Sequence, residues 1–108
     1  MRKIESQMNQ AIQSDKNWHS GNTMVKHDHG VSFVFLHGNL IAEIGDDWLK
    51  LYDGGWQSNT TKSRLNAILA QFGADGERVF QKSFEWFVTL VTDDGLQHHP
   101  FRSGMRLA

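Results

Sequence analysis

The side chains best suited to chemistry in this sequence are its six histidines and a set of aspartates next to glycines. His27 and His29 stand two apart and would share a face on a strand, His98 and His99 are adjacent, and His37 stands by itself. With Asp28, two or three of these imidazoles would make a zinc site only if the fold gathered them. Their spacing matches no helical zincin pattern, and neighbouring His98 and His99 would point to opposite sides of a strand. Asp46-Asp47, Asp53 and Asp93-Asp94 could supply paired carboxylates for acid–base work or for magnesium. All lie in or beside turns that contain glycine, where aspartate ordinarily bonds its own backbone. Ser20 and Ser63 have no nucleophile elbow around them, and no glycine-rich phosphate loop leads from a strand into a helix. These residues complete no catalytic constellation, so no catalytic residue, no metal and no cofactor is expected.

The polar block Asn59-Thr60-Thr61-Lys62-Ser63-Arg64 is of another kind. It sets hydroxyls, free backbone N–H groups and two cations at the start of a helix, a combination that suits a phosphate or another anion. Plain helix capping by Asn59 or Thr60 explains part of it. Four tryptophans are many for 108 residues. Trp86 fits a core face, whereas Trp18, Trp48 and Trp56 lie at element edges or in loops. Such aromatics complete thin cores, anchor interfaces or stack on bases. Trp56 follows Gly54-Gly55 and can be presented outward. The expected binding residues are therefore Trp56, Asn59, Thr61, Lys62 and Arg64, with residues 60–64 largely free of core duty because the apolar stripe begins at Leu65.

The elements that must position these groups follow from periodicity. Ile4, Met8, Ala11 and Ile12 recur at helical spacing from Arg2 to about Ser14, with Glu5 among the polar residues of the other faces. Thr23–His27 is a weak strand and Val31–Leu36 a clear one, apolar enough to be covered on part of both faces. Gly38-Asn39 signals a hairpin into Leu40–Ile44, and Trp48–Tyr52 makes the next strand. Thr60–Phe72 is a second helix, with Leu65, Ile68, Leu69 and Phe72 on one face, expected to bury against Phe33, Phe35, Phe84 and Trp86, and Gly73 as its C′ residue. Val79–Val91 reads as one long strand, bent or bulged near Ser83, with Phe80, Phe84, Trp86, Val88 and Leu90 on one face. Leu96–Phe101 pairs back, at an edge because of Pro100. Residues 104–108 are left as an edge strand or a tail. Strands and helices do not alternate strictly, so the expected fold is α+β. It is a single two-layer domain over 1–108, an antiparallel sheet of a meander plus C-terminal strands, packed on two amphipathic helices.

Composition limits the function further. Hydrophobic residues make up 39% and charged residues 21%, enough for a soluble core and too much for disorder. A formal net charge of −1 disfavours a generally basic nucleic-acid binder. The chain has no cysteine, hence no disulfide and no thiolate chemistry. No apolar run approaches the roughly 18–20 residues that span a bilayer.

Three blocks carry a family resemblance. They are Asn17-Trp18 with Gly21-Asn22-Thr23, then Leu36-His37-Gly38-Asn39-Leu40-Ile41-Ala42, then the run from Gly55-Trp56-Gln57-Ser58 through Leu65-Asn66-Ala67. Over most of residues 1–73 the chain resembles a family of small uncharacterised tailed-bacteriophage proteins. The resemblance implies expression in the cytoplasm of an infected bacterial host and an accessory role, and it transfers no site residues. The expected function is a non-enzymatic binding module for host interaction, acting on a host or phage macromolecule, most readily a protein, with no membrane partner. Two alternatives stand beside it. One is a nucleic-acid-binding domain with a local Trp56, Lys62 and Arg64 surface on a sheet or helix end. The other is a small-ligand binder or metal-dependent hydrolase built on the histidines.

Overall fold

The computed structural model describes residues 1–107. In chain order the elements are α1 (Lys3–Gln13), β1 (Trp18–Ser20), β2 (Thr23–Asp28), β3 (Val31–Leu36), β4 (Asn39–Ile44), β5 (Leu49–Leu51), α2 (Asn59–Phe72), β6 (Arg78–Lys82), β7 (Glu85–Thr92), β8 (Gly95–Pro100) and β9 (Met105–Leu107). The fold is α+β with antiparallel pairing, as the element order implied. The strands divide into two sheets. One runs β1-β2-β3-β4-β5-β9 and the other β6-β7-β8. Of residues 104–108, β9 is an edge strand on β5, and Ala108 lies outside the described residues.

The helices cover one face of the larger sheet. Met8, Ala11 and Ile12 of α1 and Leu65, Ile68 and Leu69 of α2 join Val25, Val34, Leu36 and Leu51 in one buried cluster. The α2 stripe was legible from spacing. The facing residues differ from the expectation. On β3 it is Ser32, Val34 and Leu36 that are buried, while Phe33 and Phe35 stand half-buried on the sheet's outer face. An alternating strand gives its core face to one parity only, and the phenyl rings have the other.

Two local irregularities shape the molecule. The β3–β4 register shifts after Val34, pairing Val34 with Ala42 and Phe35 with Leu40, so Ile41 is an extra residue. This bulge buries Ile41 and Ala42 together instead of alternating them. The expected long strand 79–91 is instead a hairpin, β6 and β7, closed by Ser83 and Phe84 with φ of 52° and 67°. Two successive left-handed residues match a type I′ turn, whose twist suits tight hairpins. Phe84 is therefore no core residue and is 95% exposed. The reversal leaves Val79 and Val88 paired on the core face and Phe80 and Phe87 paired on the outer one. Near the other hairpins, β1 was missed because three residues around Trp18 are too short for a periodic signal.

Candidate functional site

The segment entering α2 builds one wall of a surface groove. The N-cap is Ser58, whose Oγ accepts the Thr61 N–H at 3.1 Å and sits 2.9 Å from the Thr61 hydroxyl. The cap thus lies one residue before Asn59 and two before Thr60, the expected candidates. Upstream, Asp53 Oδ1 accepts the Gly55 N–H at 2.8 Å, an Asx-type turn that Gly54 and Gly55 complete with φ of 70° and 86°. Trp56, thrown outward by this turn, is 78% exposed.

Beneath it lies a cavity of about 400 Å³. Its apolar wall comes from Leu36, Ile41 and the Trp56 ring, its polar rim from Asn39, Asp53 and Thr60. Ile41, the extra residue of the β4 bulge, lines this space, as does His37 of the exposed β3–β4 turn. The groove has the features of a recognition site, an apolar floor with a few fixed polar groups.

The five predicted binding residues separate here. Trp56 and Asn59 are exposed, and Lys62 is half-buried with Nζ 3.5 Å from Gln81 Oε1 on β6. Thr61 is buried within the cap. Arg64 is only 4% exposed, which corrects the expectation that residues 60–64 are free of core duty. Thr61, Arg64, Leu65 and Ile68 form one helical stripe, so the core-facing surface starts a turn before its first apolar member.

Arg64 is the centre of a buried polar network. Its Nη1 donates to Glu5 Oε2 at 2.9 Å, Nε donates to Thr23 Oγ1 at 3.1 Å, and Nη2 reaches Asn22 Oδ1 at 3.4 Å. Glu5, only 3% exposed, also accepts the Ser63 hydroxyl at 2.6 Å and the Arg2 N–H at 3.3 Å. Burial disfavours the Glu5 carboxylate, but the bonds from Ser63, Arg64 and Arg2 and the Arg64 charge outweigh it and lower its pKa. This network ties α1, α2 and β2 together. Beside it, Asn9 Nδ2 donates to the Ala67 carbonyl at 2.9 Å, a second bond between the helices. Sequence reasoning placed Glu5 outward by residue type alone. Its spacing of three and four to Met8 and Asn9 put it on the stripe.

A second pair lies on the outer face of the larger sheet. The Tyr52 hydroxyl donates to the Glu43 carboxylate, and this bond, with burial and the Glu43 charge, raises the phenol to about 12. Lys26, Phe33, Glu43, Lys50 and Arg106 stand in one cross-strand row on five strands. Lys50 and Arg106 both lie over the Trp48 ring, at 5.9 and 5.4 Å from its centre. Trp48 itself lies against Gly45, where a Cβ would collide with the indole.

The histidines are dispersed. His27 Nδ1 lies 3.3 Å from Ser32 Oγ, His29 Nδ1 lies 2.6 Å from Asp28 Oδ1, and His98 Nδ1 lies 3.0 Å from Thr89 Oγ1. His99 meets Gln97, and His37 sits at the groove. Among the described residues no three His, Asp or Glu side chains come together as metal ligands would. Asp46-Asp47 and Asp93-Asp94 occupy exposed turns.

The molecule so described is an α+β protein with a partly apolar groove beside the start of α2. The chain belongs to the Kyanoviridae Gp96 protein family, whose model matches residues 1–108, and it is thus a protein of tailed phages, as its sequence blocks implied. No curated protein and no solved structure matches the chain. No helix among the described residues is long and apolar enough to cross a membrane.

Proposed function

We propose that this phage protein is a non-enzymatic binding module, acting in the cytoplasm of the infected host, whose partner is a host or phage protein received at the Trp56 groove. The observation that carries this reading is the exposed indole standing over an apolar cavity of about 400 Å³. An unshielded ring costs solvation in the free protein and gains most when a partner covers it. The wall of Leu36 and Ile41 suits an apolar side chain of the partner, and Asn39, Asp53 and Thr60 suit its backbone or a polar neighbour. An anionic partner fits less well. Arg64 is committed to Glu5, Lys62 leans toward β6, and the cavity lining carries the Asp53 carboxylate with no lysine or arginine among the described residues.

Replacing Trp56 with serine tests the reading. Stability should change by less than about 0.5 kcal/mol, as for exposed sites, while partner capture from infected cells is lost.

A second reading has an observation of its own. The row Lys26, Phe33, Glu43, Lys50 and Arg106, with Trp48 beside it, sets three cations and one carboxylate among aromatics on the open sheet face, a net-basic arrangement of the kind single-stranded nucleic-acid platforms use. It predicts binding to single-stranded nucleic acid that weakens steeply with salt and with Lys50→Glu, and is indifferent to Trp56→Ser.

A further inference from the structure

The turn that leads into α2 holds an indole and a carboxylate three residues apart. The Trp56 N–H donates to the Asp53 carbonyl at 3.3 Å, and Asp53 Oδ1 accepts the Gly55 N–H at 2.8 Å. The Asp53 N–H donates in turn to Ser103 Oγ at 3.1 Å, which ties the turn to the segment before β9. Both side chains line the same cavity.

The Asx-type turn accounts for an acceptor at position 53 and not for its charge, since asparagine makes the same turn. Asp53 is half-buried and makes no ion pair among the described residues. Its Oδ2 has one long contact, from Gln57 Nε2 at 3.4 Å. The indole is in a similar position. Lys50 and Arg106 lie over Trp48 and Arg78 lies over Phe80, but among the described residues no cation lies over Trp56.

These facts limit what can fill the groove. A purely apolar side chain would cover the Asp53 carboxylate and leave it without a partner, at a cost in desolvation. An acidic side chain would add repulsion. A side chain with an aliphatic stem and a cationic head suits both parts of the lining. Its stem lies on the Leu36 and Ile41 wall, and its head meets the carboxylate and the face of the indole.

We infer that the group received at the Trp56 groove is a basic side chain of the partner protein, an arginine or a lysine. The inference rests on the function proposed for the groove and names the chemistry of the partner's anchor. Asn39 and Thr60 on the rim are left for the partner's backbone.

The test is an NMR titration of the isotope-labelled chain with blocked tripeptides that carry a central arginine, lysine, leucine or glutamate between glycines. The Trp56 indole signal is identified by its loss in Trp56→Ser. The arginine and lysine peptides should shift that signal and the Gly54 and Gly55 amides saturably, and more weakly as salt is added. The leucine and glutamate peptides should bind on the order of threefold more weakly or worse, and Asp53→Asn should weaken the basic peptides by a similar factor. This variant keeps an acceptor for the Gly55 N–H, and its own spectrum checks that the turn persists. The comparison among peptides on the wild-type chain stands without it. A leucine peptide that binds as tightly as the basic ones overturns the inference. So do basic peptides indifferent to Asp53→Asn with the turn intact, or the absence of any shift at Trp56. Partner capture with Trp56→Ser judges the groove itself, so failure of the basic anchor and failure of the groove are read separately.

Discussion

At the scale of single residues, two proton-bearing pairs make measurable claims. The chain has one tyrosine, so tyrosinate absorbance reports Tyr52 alone. Its midpoint should lie near the raised value of about 12, and Glu43→Gln should bring it toward the ordinary value of about 10. The stability this pair contributes is present below the ordinary phenol range and is lost as pH rises through the raised one. Glu5 runs in the opposite sense. Its folded pKa is lowered, so its contribution is complete above the ordinary carboxyl range and disappears as pH falls through the lowered value. Urea unfolding between neutral and acidic pH should show the wild type losing more stability than Glu5→Gln, which starts less stable. Arg64→Ala strands the buried Glu5 and should cost about 3–5 kcal/mol, whereas Lys62→Ala should stay within about 0.5 kcal/mol. Residue type alone marks both Glu5 and Arg64 as surface. Only their positions on helical stripes, beside Met8 and between Thr61 and Ile68, hint that they meet.

At the scale of elements, α2 was the most legible, because Leu65, Ile68 and Leu69 repeat with the helix and are buried. Leu69→Ala should cost roughly 2–5 kcal/mol by chemical denaturation. Gly73 ends α2 as its C-cap and not as the expected C′ residue, and for a different reason. Gly73 is extended rather than left-handed, and a Cβ there would come within 2.8 Å of the Leu69 carbonyl oxygen. The β6–β7 hairpin was the least legible. Ser83-Phe84 carries none of the Asn-Gly chemistry that signals a type I′ turn, and an alternating pattern runs straight through it. Both residues adopt the left-handed conformation at a cost, so Ser83→Asn with Phe84→Gly should stabilise the fold by about 1 kcal/mol in the same assay. A fall in stability would mean that the Phe84 ring packs in solution. The β3–β4 bulge was equally hidden, since Leu40, Ala42 and Ile44 alternate acceptably without it, yet it contributes Ile41 to the groove.

At the scale of the whole molecule, the α+β class and antiparallel pairing were readable, because strand and helix periods switch clearly along the chain. The division into two sheets was not, since it depends on which edges meet, and β9 returns from the far end of the sequence to pair with β5. Of the candidate site, Trp56 was found through its glycines, while the cavity beneath it comes from residues distant in sequence, Leu36, Ile41 and Thr60. On the proposed function the two roles separate: Arg64 holds helices and sheet together, and Trp56 is the residue a partner would cover. The most direct measurement is parallel affinity capture from nuclease-treated lysate of infected cells, using the wild-type chain and Trp56→Ser at matched thermal stability. The expected result is a phage or host protein retained in stoichiometric amount by the wild type and absent from the variant. Identical proteins retained by both, in equal amounts, would contradict it.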